Sequence, residues 1–407
     1  MRRRLLLVTP FAPTPHPRHG GARAVRGLAG ALAERHELAL VYVGAPSAVD
    51  PQLARRCVAV HAHEADAPSR VVRRLRGAGG LLRRRSMWAA EMRIDVLARC
   101  VRELADDLRP DVVQVEHGVL GDVLRGVAPA PSRVLTIHDP AASGFENLPY
   151  QHEGLRLAHR LDARVAVLQE RRALAAADAA VVFTERDRQV VAASAPGSTE
   201  VVRIPLGHDV PAAALDPGGA QPPTVVFVGS FRHPPNVDAA LRLGRQVFPP
   251  VRAARPDVGL EIVGESPPAA VLALQGEGVR VHADVPSVIP YVNRAAVVVA
   301  PIALGGGARV KVLEALAAGK AVVASPRAAE GIGARPGRDI VIAETDAAVA
   351  AAVLSLLEDL PAREALGRSA RAWAVRELSW PATAARYDEL YDRLDRRRRL
   401  RSSAARS

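Results

Sequence analysis

The residues best equipped for chemistry lie in one stretch, 301–326, PIALGGGARVKVLEALAAGKAVVASP. It follows the apolar run VVVA at 297–300, which reads as a buried strand. Gly305, Gly306 and Gly307 then open a helical pattern. A glycine-rich turn exposes backbone N–H groups, and a helix N-terminus carries partial positive charge, so the place suits an anion. Arg309 and Lys311 fall in the first turn. Cations there oppose the helix dipole and stabilise nothing alone; a bound diphosphate removes the conflict. Glu314 lies three residues after Lys311, on the same helical face. A carboxylate at that point can accept hydrogen bonds from the two hydroxyls of a ribose. The plainer alternative is a glycine loop followed by a Lys–Glu surface pair.

Other familiar chemistries are missing from the sequence. It has no GxxxxGK[ST], and Gly77, Gly79 and Gly80 fall in a basic stretch rather than after a strand, so neither phosphate-loop fingerprint is present. GxSxG and HExxH are absent as well. His61 and His63 share one face of a strand-like segment, but catalytic metal sites commonly use three protein ligands, and a lone HxH reads as a surface feature. Cys57 and Cys100, the two cysteines, form no CxxC and suit a reducing compartment.

Placing such groups requires a scaffold, and the hydrophobic pattern supplies one. Short β-branched runs recur at 5–8, 38–43, 112–115, 134–137, 179–183 and 201–204, then at 225–228, 260–263, 279–281, 297–300, 321–324 and 340–342. Ala/Leu/Arg-rich stretches with helical spacing lie between them, as at 24–35 and 159–177. Strands alternating with helices predict an α/β fold with parallel, doubly wound sheets, and continuous apolar runs predict strands buried on both faces. The pattern falters at 207–223, where four prolines and three glycines read as a linker. The expected organisation is an N-terminal domain over 1–208, a second domain over 209–380, a helix over 381–400 and a basic disordered tail over 401–407. Ligands of such sheets bind at the carboxyl ends of the strands.

The chain resembles the retaining glycosyltransferases of family 4, which have the GT-B fold, most densely from 200 to 390. IPLGHD (204–209) is similar to the family's hinge, VVFVGSFRHPPNVDAA (225–240) to the strand and loop opening its second domain, and LEIVGE (260–265) and AAEGI (328–332) to two further turns. RELSWPATAARYDELYDRL (376–394) resembles the C-terminal helix that crosses back to the first domain. Family members carry a Glu–x7–Glu motif; Glu314 matches its second Glu, and Gly306 stands at the first. Many relatives show the GGG-x-R-x-K-x-LEA variant found here.

The resemblance implies two Rossmann-like domains facing across a cleft that closes about 205–223. It implies a sugar transferred from a nucleotide-diphosphate donor, such as a UDP or GDP sugar, with retention. Gly20, Gly21, Arg232, Gly305, Gly306, Gly307 and Lys311 would hold the donor diphosphate, with His233 the alternative to Arg232. Glu314 would bind the ribose, and His138, next to Asp139, would lie near the sugar. His138, Arg232 and Lys311 are thus the expected catalytic residues, and Glu116 and His117 the expected acceptor side. His19 precedes the Gly-Gly pair and Arg23 begins the following helix. No DxD pair is present, so Arg and Lys would do the work of a cation, and neither metal nor cofactor is expected. Two other readings stand beside this one: a catalytically silent GT-B scaffold, motivated by Gly306, and a sugar-nucleotide epimerase.

The 407 residues carry 55 Lys+Arg against 43 Asp+Glu, a net charge of +12, and only Lys311 and Lys320 are lysines. Arginine grips phosphate as a planar fork. Seven arginines and no acid fall in 69–86, an amphipathic pattern suited to anionic lipid. That block points to peripheral membrane contact and a lipid-linked or envelope acceptor, with a solvated helix as the alternative. The expected location is cytoplasmic, on the inner face of a bacterial plasma membrane, and the expected acceptor is a sugar, a lipid-linked group or a small molecule. The products would be cell-envelope polysaccharide, glycolipid or natural-product glycoside. The early run Leu5–Val8 is shorter than the ~7–15 residues of a signal peptide core. Aromatics make up 3% of the chain and no nucleic-acid motif is present, so no nucleic-acid partner is expected.

Overall fold

The computed structural model describes residues 2–15, 20–64, 70–128, 131–142, 156–303 and 310–404. The chain divides into two compact units, Met1–Gly207 with Trp380–Ser407, and His208–Ser379.

The first unit is built on seven parallel strands: β1 (Arg4–Thr9), β2 (Glu37–Val43), β3 (Ala59–His63), β4 (Val112–Glu116), β5 (Ser132–Ile137), β6 (Ala179–Val182) and β7 (Glu200–Arg203). They lie in the order β3-β2-β1-β4-β5-β6-β7. Leu5 to Val8 are buried on both faces, which is why β1 reads as an unbroken apolar run. Side chains alternate across the sheet. Leu6, Val8, Val113 and Val115 pack on one face with the helix Ile94–Leu108, and Leu5, Leu7 and Val112 on the other with the helix Gly20–Arg35. β3 reads weakly in sequence because His61 and His63 interrupt it; all five of its residues are only half-buried, as befits an edge strand.

The second unit repeats the plan with six strands: β8 (Thr224–Val228), β9 (Gly259–Gly264), β10 (Val279–Ala283), β11 (Val297–Ala300), β12 (Val322–Ala324) and β13 (Val341–Ile342). Their order is β10-β9-β8-β11-β12-β13, and every pairing is parallel. Strand order reverses between β1 and β4 and between β8 and β11. Those switch points are where open α/β sheets leave a crevice for ligands, at the carboxyl ends of the strands.

The last helix, Trp380–Ala404, completes the first unit rather than the second. Its Tyr387, Leu390, Tyr391 and Leu394 are buried against the sheet face that holds Leu5 and Leu7. It extends four residues into the stretch that the sequence reads as a tail, and Arg393 and Arg397 grip Glu200 at 3.0 and 3.1 Å. Lys320 is fully buried in the second unit, donating to the carbonyls of Asp216 and, at 2.9 Å, Asn293, so it fastens the 207–223 segment. Burial pulls its ammonium down to about 8. Among the described residues no helix is long and apolar enough to cross a membrane.

Candidate functional site

In the second unit, the polar residues gather beyond β8 and β11. β8 ends at Val228, and Gly229, Ser230, Phe231 and Arg232 lead into the helix Pro234–Arg242. Gly264, at the end of β9, must be glycine, because a Cβ there would stand 1.7 Å from the Gly229 carbonyl oxygen. Arg232 reaches back to Glu265 at 3.0 Å, and the arginine side chain is 67% exposed. An exposed ion pair of this kind exchanges its partner cheaply. Lys311 lies in the helix Val310–Ala317, donates to Asn236 Oδ1, and its ammonium sits 5.0 Å over the Phe227 ring. Asn236 is in turn fixed by donating to the Ser230 carbonyl at 2.6 Å. Glu314 lies one turn further along Lys311's helix and is half-buried. Gly305, Gly306, Gly307 and Arg309 lie outside the described residues. The backbone just before them is held by Arg242, donating to the Pro301 carbonyl at 3.1 Å, and by Ser325, donating to that of Ile302.

In the first unit, the corresponding place holds an aromatic and histidine cluster. Phe11 follows β1, His117 follows β4 and His138 follows β5. The two imidazoles stack at 3.6 Å between centroids and 14° between planes. Phe11 and Trp88 meet His117 edge-on at 5.3 and 5.8 Å, and Phe183 meets His138 at 4.8 Å. His117 adopts φ 72°, a costly conformation for a non-glycine residue and a kind of strain found at functional sites.

His138 Nε2 is bonded to Glu116 Oε2 at 2.9 Å. The other oxygen, Oε1, accepts from Gln114 at 2.7 Å, and Tyr391 of the last helix donates to Gln114 Oε1. Glu116 is 1% exposed. Both oxygens of Glu116, expected on the acceptor side, are thus occupied inside the core. The carboxylate orients His138 instead, since the partner of one ring nitrogen fixes the ring and its tautomer. Burial raises the Tyr391 hydroxyl well above its usual value, so it stays a donor.

Glu170, in the helix Arg156–Ala176, accepts from the backbone N–H of Ala141 at 2.9 Å, three residues past His138. Burial pushes its carboxyl up to about 7. Gly20 and Gly21 are the first residues of the helix Gly20–Arg35, and Arg23 is exposed in its first turn. His19 lies outside the described residues. His233 caps the helix Pro234–Arg242 through its backbone position, and Asp139 is exposed. No group of three or more His, Cys, Asp or Glu suited to a metal occurs among the described residues.

The sequence reading missed Asn236, Gln114, Tyr391, Glu170, Phe11 and Trp88. Asn236 was findable, because it stands in the PPN that opens a helix beside Arg232. The others carry no local signal and are assembled by the fold.

A family model described as Glycosyl transferases group 1 matches residues 222–359, within the second unit. No curated protein matches the sequence. Among solved structures, sucrose-phosphate synthase from Thermosynechococcus elongatus superposes with a TM-score of 0.65 at 18% identity, over 96% of this chain and 99% of that one. HepE from Anabaena, in complex with UDP and glucose, gives 0.58 at 14% over 95% and 99%. WaaG, a glycosyltransferase involved in lipopolysaccharide biosynthesis, gives 0.59 at 13% over 96% and 99%. At these identities the likenesses show the fold, which is GT-B.

Proposed function

We propose that this chain, whose second unit carries a glycosyl transferases group 1 domain, transfers a sugar from a nucleotide-diphosphate donor to an acceptor. The observation that supports the reading is the placement of Arg232 just beyond β8 and of Lys311 and Glu314 on the helix that follows β11, with Lys311 bonded to Asn236 across the switch point, all within the family-matched residues. As the glycosidic bond breaks, negative charge grows on the leaving diphosphate, and fixed cations and N–H groups stabilise it best. Lys311 has few ways to move, being bonded to Asn236 and seated over Phe227. Arg232 can leave Glu265 for a phosphate, because its present pair is solvated. Glu314 would accept the ribose hydroxyls, and Gly305, Gly306 and Gly307 would supply N–H groups to the diphosphate, with Gly20 and Gly21 adding theirs.

On the sugar side, His138 is the contact residue and Glu116 its positioning residue. The reaction proceeds with retention and without a metal ion, the arginine and lysine supplying the positive charge. Its products are polysaccharide, glycolipid or natural-product glycosides, and the arginines of 69–86 hold the protein on anionic membrane.

The test is incubation of the purified protein with a panel of UDP and GDP sugars and acceptors. Nucleotide release that depends on acceptor and disappears in Lys311→Ala and Glu314→Ala supports transfer. Calorimetry showing no donor binding across the panel replaces this reading with a silent scaffold.

A further inference from the structure

We propose that a cavity in the first unit is a pocket for a phosphate on the acceptor, so that the acceptor is a phosphorylated sugar or a glycosyl phospholipid. This deepens the glycosyltransferase reading and rests on it for the role of acceptor. The cavity, of about 360 Å³, lies among the helices Arg70–Leu82, Met87–Glu91 and Ile94–Leu108. Arg76, Arg83, Arg85 and Arg93 line it, and Asp95 is the one acid among its lining residues. Asp95 pairs with Arg85. Four guanidinium groups against one carboxylate in the lining make the hollow a favourable place for an anion. The arginine fork matches phosphate oxygens in pairs, which makes phosphate the fitting anion.

The hollow is shaped by its backbone. A Cβ on Gly80 would come 2.7 Å from the Ala90 Cβ, so this glycine lets two helices close, whereas a Cβ on Gly79 would meet nothing within 4 Å. Arg93 stands in the left-handed region at φ 49°, a conformation few side-chain-bearing residues adopt. The close approach to Ala90 explains Gly80, in a basic stretch that the donor chemistry leaves unused.

The helix Met87–Glu91 ties the cavity to the histidine pair. Ala89 and Ala90 form part of the cavity wall. Their neighbour Trp88, 42% exposed, stands against His117 and Phe11. In a chain with 3% aromatics, Phe11, Trp88 and Phe183 gather here. The exposed face of Trp88, beside the His117 ring that stacks on His138, suits the C–H face of a sugar ring, with the phosphate bound at the neighbouring Ala89 and Ala90 of the same short helix. Leu82, 87% exposed beside Arg83, is an apolar contact that a bilayer would cover.

The experiment uses glucose 1-phosphate, glucose, and vesicles of phosphatidylglycerol or phosphatidylcholine as probes. They are applied to the full chain, to Arg83→Gln/Arg93→Gln, to Arg76→Gln and to Lys311→Ala, each checked for folding by circular dichroism. Calorimetry is expected to show glucose 1-phosphate binding at least about tenfold tighter than glucose, a preference lost in Arg83→Gln/Arg93→Gln, weakened in Arg76→Gln and kept in Lys311→Ala. Binding to phosphatidylglycerol vesicles alone, lost in the same double variant, supports the pocket with lipid as the source. The proposal is overturned if the sugar phosphate is lost in Lys311→Ala and kept in the double variant, or if neither phosphate probe binds. UDP and GDP binding on the same variants separates the two readings. Loss of nucleotide binding throughout, with the arginine-dependent preference intact, sinks the transferase reading and leaves the pocket.

Discussion

Both sheets reverse their strand order in the same way, yet the paired polar side chains at the two switch points live in different surroundings. In the second unit, Arg232 and Glu265 pair in water, with side chains 67% and 52% exposed. In the first, Glu116 and His138 pair inside the core, at 1% and 7%. A solvated pair contributes roughly 0–1 kcal/mol and its members remain available to a ligand. A buried pair is unavailable, but breaking it costs about 1–3 kcal/mol for each buried partner left unsatisfied. The difference teaches that the second unit leaves its polar groups accessible while the first uses its own to hold a side chain still.

That contrast can be broken at four places. Lys311→Ala should give the largest effect, a loss of about 10²–10³ in kcat with little change in melting temperature; a loss below tenfold in steady-state rates would erase the distinction. Glu116→Ala should cost about 3 kcal/mol in urea unfolding and lower kcat as well, since it strands both His138 and Gln114. Glu116→Gln should cost less stability but leave His138 poorly oriented, seen as a fall in kcat with donor KM unchanged. If Glu116→Ala unfolds at the wild-type urea concentration, the buried pair is not structural.

Glu170 gives the third. Its folded pKa, about 7, stands above the usual 4.5, so the native state binds a proton that the unfolded chain releases. Its contribution is therefore fully present below about 4.5, falls as pH rises, and is gone above about 7. Glu170→Gln should flatten this decline and raise stability at pH 8 by on the order of 2–3 kcal/mol, measured by urea melts at pH 5 and 8. Equal gains at both pH values would show that proton binding is not the cause. The smallest change in stability is expected for Arg232→Ala, within about 0.5 kcal/mol, accompanied by a higher donor KM. A large drop in melting temperature there would mean that the two switch points are built alike.

The same contrast decides what the sequence discloses. The residues proposed to meet the phosphates are local: Lys311 and Glu314 share one turn of helix, and Arg232 lies four residues from Asn236, so the motif is legible. Parallel strands buried on both faces are legible too, as continuous apolar runs. The orientation of His138 is not. It depends on Glu116, 22 residues away, and through Gln114 on Tyr391, 277 residues further along the chain. The sequence shows each of these residues, but only the packing of the last helix on β4 and β5 brings them together. The arginine block of 69–86 was visible as charge, while its hollow depends on how closely Gly80 approaches Ala90.

The return of residues 380–404 to the first unit also sets a timetable for synthesis. The second unit is complete when Ser379 is made, but the first still lacks the helix that covers Leu5, Leu7 and Val112. At ribosomal speed, about 200 residues separate β7 from the end of that helix, on the order of ten to forty seconds. During that interval the earlier-made half lacks Tyr387, Leu390, Tyr391 and Leu394, and we predict that the later-made half folds first. A chain ending at Ser379 should therefore yield a protease-resistant fragment near 208–379 and a degraded N-terminal half. Survival of the N-terminal half instead would show that it needs no closing helix, and that the order of emergence is also the order of folding.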